Sequence, residues 1–361
     1  MPCPFARQSR ISRKKDDNKN NKMATKQRIA YIDFMKGLCI ILVVAFHVKT
    51  TAFGDPYGYM LQQFRIPMYF FLSGLFFKLY DGFFDFARKK VNNIIVPLIL
   101  FLIIGTIYYF GRNLLESHFS VAKALERMPL NPIENNTPTW FLVVLFEVNI
   151  IYYLLQKFLP RWLTIVAALL LSAIGYALVS AHYTIILYLD IALVAMPFFV
   201  LGSESRKLGL LEKGPHVAVR IVLAVAVAVI LFFFSERINM LHRVYPSYFR
   251  LYMLPALSIM SLLFLCQYIK RPVPVISHLG RYSIMVLGTH YFLIGPLKAL
   301  IGKLLPSLAD TPWPFLIVLV LVLALEFPVI YLLKKYLPRY TAQEEFFYKG
   351  WKIKKTEETA A

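Results

Sequence analysis

Ten stretches of this chain stay apolar for about 17 to 25 residues, the length a helix needs to cross a bilayer. They lie near 34–53, 62–80, 91–111, 139–156, 162–180, 183–202, 216–234, 248–268, 282–302 and 312–334. Of the 361 residues 58% are hydrophobic and only 17% charged, too few charges to coat a water-soluble domain of this size. The expected fold class is all-α: a polytopic membrane protein with about ten transmembrane helices in one bundle.

The basic residues test that count independently, because cytoplasmic loops carry the excess of Lys and Arg. With the N-terminus inside, thirty of the 40 Lys and Arg fall in cytoplasmic segments and ten on the other side. An odd number of helices would scramble this asymmetry, so both termini are expected to be cytoplasmic, with the protein multi-pass in the inner (cytoplasmic) membrane. The net charge of +20 lies in short loops and two tails rather than in one basic domain, which argues against nucleic acid as a partner. Cys3, Cys39 and Cys266 are an odd set, two of them inside expected helices; neither a disulfide framework nor a metal site is implied.

Residues 1–27 are polar, basic and without periodicity, as in a disordered arm. They lack the apolar core of a signal peptide, and Met23 offers a second candidate start of translation. Residues 28–340 form the expected ten-helix domain and 341–361 a cytoplasmic tail. The longest outer connection, 112–138, ends in "MPLNPIENNTPT"; loops of that length often carry function. No internal repeat is visible, which speaks against a transporter built from inverted halves.

The first chemical constellation is "RIAYIDFMKGLCIILVVAFHV", residues 28–48. Eleven residues turn a helix by about 1100°, so Lys36 and His47 share one face about 16 Å apart along the axis. Asp33 falls near the same face. Lys36 suits either a snorkelling anchor or a working group. His47 is the side chain best suited to move protons near neutral pH. In "FRIPMYFFLSGLFFK", residues 64–78, Pro67 breaks the chain, Ser73-Gly74 allows close helix packing, and Arg65 offers a guanidinium at the outer rim. Arg88, Lys89 and Lys90 precede an apolar helix with Pro97; they serve either as topology-setting charges or as a phosphate site for a cytosolic nucleotide or coenzyme A. Glu147 and His290 lie near mid-membrane, where an ionisable group marks a candidate functional site. Trp140 stands at the outer end of its helix, as a belt aromatic or a substrate contact. Nothing around Asp190 and Glu326 separates a helix–helix hydrogen bond from a working group.

In order along nearly the whole chain, "YIDFMKG" with its following histidine, "RIPMYFFLSG", the basic turn before "VPLIL", "TWFLVVLF" and "LGRYSIMVLGTH" resemble the membrane acyltransferase-3 family. That resemblance implies ten transmembrane helices and transfer of an acyl group, typically acetyl, from cytosolic acyl-CoA to a hydroxyl of an extracytoplasmic glycan. The family hallmark, an arginine, ten residues and a histidine, falls on Lys36 and His47, with lysine replacing arginine. Lysine keeps the charge and loses the bidentate fork. Where the family commonly has further arginine after the basic turn, this chain has Asn92 and Asn93.

The resemblance implies His47, Lys36 and Asp33 as catalytic residues, with His47 either a general base or a nucleophile. It implies Arg65, Trp140, Glu147 and His290 as acceptor-side contacts and Arg88, Lys89 and Lys90 as the donor site, with acyl-CoA as donor substrate and no metal. The partners expected are the lipid bilayer, acyl-CoA and a cell-surface or lipid-linked glycan, with a homo-oligomer left open. An exporter of a glycan or small substrate is the alternative reading. A purely structural scaffold should not place Lys36, His47, Glu147 and His290 in a bilayer.

Overall fold

The computed structural model describes residues 29–48, 55–129, 131–308 and 311–348, those at 55–59 by backbone only. The arm assigned to 1–27, Cys3, the alternative start at Met23 and the tail beyond 348 lie outside the described residues. The fold is all-α. Its helices are α1 (Ala30–Val48), α2 (Asp55–Arg65), α3 (Pro67–Leu75), α4 (Phe83–Lys90), α5 (Val96–Glu116), α6 (Val121–Glu126) and α7 (Trp140–Phe158). There follow α8 (Arg161–Ser180), α9 (Leu189–Lys207), α10 (Val217–Phe234), α11 (Tyr248–Cys266), α12 (Pro274–Arg281), α13 (Ser283–Leu304) and α14 (Trp313–Tyr336).

Among the described residues, nine helical stretches are long and apolar enough to cross a membrane. The remaining candidate, 62–80, is divided: α2 ends at Arg65 and α3 begins at Pro67, because proline has no amide hydrogen for the ladder and crowds the preceding residue. Helix α3 compensates with close packing on α9. A Cβ on Gly74 would overlap the Phe199 carbonyl, and one on Gly202 the Phe71 carbonyl, so these two glycines let the backbones touch. A second glycine pair joins α1 to α12, where a Cβ on Gly37 would meet Ile276 and one on Gly280 would meet Asp33. In contrast, α10 buries only Val227 and Leu231, as a helix facing lipid does.

Three irregular segments shape the interior. Between α4 and α5, Val91–Ile95 form a π-helical turn, which adds a residue to the helical circuit and re-aims the side chains beside it. The segment Pro132–Thr139 is a kinked 3-10 helix that dives between helices rather than over them. Buried Asn136 donates to the Phe101 and Gly288 carbonyls at 3.2 and 2.9 Å. The loop between α10 and α11 folds back through an Asn239–Val244 bridge. Arg243 fastens that hairpin to buried Asp190 through Nε–Oδ2 and Nη2–Oδ1 contacts of 2.6 and 3.1 Å. Asp190 is thus an anchor for the hairpin. Glu326, equally buried, bonds the Thr289 hydroxyl at 3.0 and 2.8 Å and ties α14 to α13.

Candidate active site

The face shared by Lys36 and His47 lines two cavities. The first, about 330 Å³, is bordered on α1 by Lys36, Ile40 and Val43; the second, about 360 Å³, by Val43, Phe46 and His47. Residues 36, 40, 43 and 47 follow the three- and four-residue steps of one helical stripe. Val43 and Ile66 are the two residues common to both linings. Ile66 sits at the break between α2 and α3, so the proline-imposed interruption lies in the wall the two cavities share.

The Lys36 cavity opens towards the end of the bundle where the chain runs from α3 to α4. Tyr69, Ser73, Phe76, Tyr80, Lys90 and Asn93 complete its polar and aromatic wall. Tyr69 donates to the Lys36 carbonyl at 3.0 Å, and the Lys36 ammonium stands 5.5 Å from the Phe76 ring centre. Lys90 flanks the π-helical turn and Asn93 belongs to it, and both border the cavity. A cleft of this volume lies at the small end of the range for cofactor and drug-sized ligands.

Of the three basic residues expected at a donor site, Lys90 alone borders this cavity. Arg88 pairs with Asp85 at 3.1 Å and approaches Glu345 at 4.0 Å, while Lys89 pairs with Glu345. The segment carrying Glu345 is held by Asn92, whose side chain donates to the Phe347 carbonyl and accepts from the Phe347 amide, each at 2.8 Å. Asn92 thus anchors the chain's return across the basic turn.

The His47 cavity lies at the opposite end. Arg65, Pro67, Thr137, Trp140 and Tyr291 line it with His47, and Ile238–His242 of the hairpin close it. The buried Arg65 guanidinium lies 3.7 Å from the Phe46 ring centre, a desolvated cation held over an aromatic face. His47 occupies the last turn of α1. Its ring centre is 5.2 Å from that of His290 and 5.9 Å from that of Tyr291. His290 is fully buried, and its Nδ1 lies 2.7 Å from the Val286 carbonyl. A carbonyl only accepts, so Nδ1 carries the hydrogen and Nε2 the lone pair. That Nε2 has no hydrogen-bond partner among the described residues.

The structure therefore brings His47, Arg65, Trp140 and His290 together, and Lys36 with Lys90 in the adjoining cavity. Asp33 and Glu147 line neither: Asp33 backs onto Gly280 of α12, and Glu147 lies two turns along α7 from Trp140. Sequence reasoning missed Tyr69, Asn93, Thr137, Tyr291 and the hairpin residues. Tyr69 and Tyr291 read as core or belt aromatics by pattern, and only the loop length around Thr137 carried a signal.

The family model described as "Acyltransferase domain", that of the membrane acyltransferase-3 family, matches residues 29–332. No curated protein and no solved structure matches the chain significantly. The matched span contains α1 through most of α14 and with them both cavities. The chain belongs to the membrane acyltransferase-3 family.

Proposed function

We propose that this membrane acyltransferase carries an acyl group, acetyl in this reading, from cytosolic acyl-CoA to a hydroxyl of a glycan on the far side of the inner membrane. The observation that carries the reading is that two cavities from opposite ends of the bundle share Val43 and Ile66 in their walls, with Lys36 in one and His47 in the other. The charge asymmetry supports cytoplasmic termini, and in that orientation the Lys36 cavity takes the donor and the His47 cavity the acceptor.

In this reading the acyl thioester enters past Lys90 and Lys36, whose ammonium groups attract the donor's phosphates and polar arm. The acyl carbon reaches the junction at Val43 and Ile66. An acceptor hydroxyl held near Arg65 and Trp140 gives its proton to a His47 nitrogen as its oxygen bonds to the acyl carbon. The carbon–sulfur bond then breaks, and the leaving thiolate takes that proton from His47. The ester and the free thiol depart through opposite cavities, and His47 returns to its starting state. Imidazole suits this shuttle because it both accepts and returns a proton near neutral pH.

Acetyl-CoA carrying a labelled acetyl group, supplied outside inverted vesicles, tests the reading. Label should appear in glycan inside the vesicles. Failure of the wild-type protein to transfer label from any acyl-CoA overturns it and favours the exporter.

A further inference from the structure

We propose that His290 is a positioning residue for this transfer: its Nε2 lone pair receives the N–H of His47 and decides which His47 nitrogen faces the acceptor. The proposal rests on the acyl-transfer reading above and adds to it the residue that orients the base. Three observations lead to it.

The first is that the tautomer of His290 is set by its own helix. The Val286 carbonyl at 2.7 Å takes the Nδ1 hydrogen, an i to i−4 bond that leaves Nε2 as a bare acceptor. The second is cost. Nε2 is buried with no hydrogen-bond partner among the described residues, and leaving a buried acceptor unbonded is unfavourable. Buried polar groups are normally satisfied, so an exception beside a candidate base calls for a reason. The third is the neighbour: the ring centres of His47 and His290 lie 5.2 Å apart with the planes inclined by 50°. Two imidazoles joined edge to edge by one N–H···N bond of about 3 Å have centres separated by about 5 Å, so rotation of the His47 ring closes the bond without moving either helix. His47 has room for that rotation because it borders a cavity.

The fully buried acids Asp190 and Glu326 are committed elsewhere, and half-buried Glu147, whose Oε2 is unpartnered among the described residues, stands away from both cavities. Asp190 holds Arg243 and Glu326 holds Thr289. A histidine acting as a base needs an acceptor for its second nitrogen, or the imidazole is free to present the wrong one. A neutral imidazole fills that role in an apolar bundle without burying an unpaired carboxylate. When His47 takes the hydroxyl proton it becomes a cation, and the His290 lone pair then receives the stronger, charge-assisted bond. His290 never takes part in the covalent exchange.

The test compares His290→Asn with His290→Gln in the full-length protein in proteoliposomes, using acetyl-CoA and a soluble oligosaccharide acceptor. The Asn side chain can keep the donor to Val286 but is too short to reach the Nε2 position, whereas Gln places an amide oxygen there. The expected result is that Asn lowers kcat about 100-fold or more, the scale of a lost general-base contribution. The KM for each substrate should stay within about twofold, and Gln should lose no more than about 10-fold. Equal losses in the two variants, a kcat for Asn within threefold of wild type, or failure of both to fold in detergent would each overturn the positioning role. Transfer by the wild type separates these outcomes from failure of the acyl-transfer reading itself.

Discussion

Val43 and Ile66 are the two residues that border both the Lys36 cavity and the His47 cavity. One comes from the middle of α1 and the other from the break between α2 and α3. Their side chains therefore stand between the two cavities, where donor and acceptor would have to meet. Val43→Ala should widen it, raising transfer from butyryl-CoA relative to acetyl-CoA by about tenfold, the scale on which apolar pockets discriminate added methylenes. Val43→Phe should block transfer from either donor. The check is a competition between the two donors in vesicles containing each variant.

Lys36 borders the donor cavity while its carbonyl is fixed by Tyr69. Lys36→Arg keeps the charge and should retain most of the activity. Lys36→Ala should raise the KM for acyl-CoA several-fold and leave that for the acceptor within about twofold, because only the donor side loses a charge-assisted contact. Initial rates over a matrix of both substrates separate the two effects.

Glu345 rests on Arg88 and Lys89 where the donor's phosphates are expected. Glu345→Gln removes the carboxylate's charge from both cations, with Arg88 keeping its pair with Asp85, and should lower the KM for acyl-CoA about two- to fivefold, modest because exposed ion pairs contribute little. The shift should shrink as salt rises, since exposed charges are screened. A KM that does not move with the substitution would place the donor's phosphates elsewhere.

The packing carries its own prediction. Gly202 lies against the Phe71 carbonyl with no room for a Cβ, so Gly202→Val must push α3 from α9. A loss of about 3 kcal/mol or more is expected, in the range reserved for core overpacking. Thermal unfolding in detergent reads it, and Gly111→Ala, where a Cβ meets nothing within 4 Å, serves as the neutral control.

Periodicity made the central stripe legible. Lys36 and His47 were placed on one face by arithmetic, and the structure puts Ile40 and Val43 between them on the same face. Pro67 announced the break before α3, and Ser73-Gly74 announced a close helix contact, which is the one made with α9. Long-range pairing was not legible. No local signal says that Asn92 will hold Phe347, that Asn136 will reach Gly288, or that the hairpin at Ile238–His242 will close the His47 cavity. Each depends on segments distant in sequence finding an unsatisfied backbone group. Glu147 and Asp33 show the converse: a charge within or at the end of a membrane helix marks a candidate, and only the fold decides which cavity, if any, it joins.

The most direct test of the account is transfer of labelled acetyl from acetyl-CoA on the cytoplasmic face to glycan on the other, comparing wild type with His47→Ala at equal membrane abundance. His47 borders the acceptor cavity with Arg65 and Trp140, and removing its imidazole should lower kcat by about 100-fold or more. The KM for acetyl-CoA should stay within about twofold, because the donor occupies the Lys36 cavity. Transfer by His47→Ala at the wild-type rate would contradict the account.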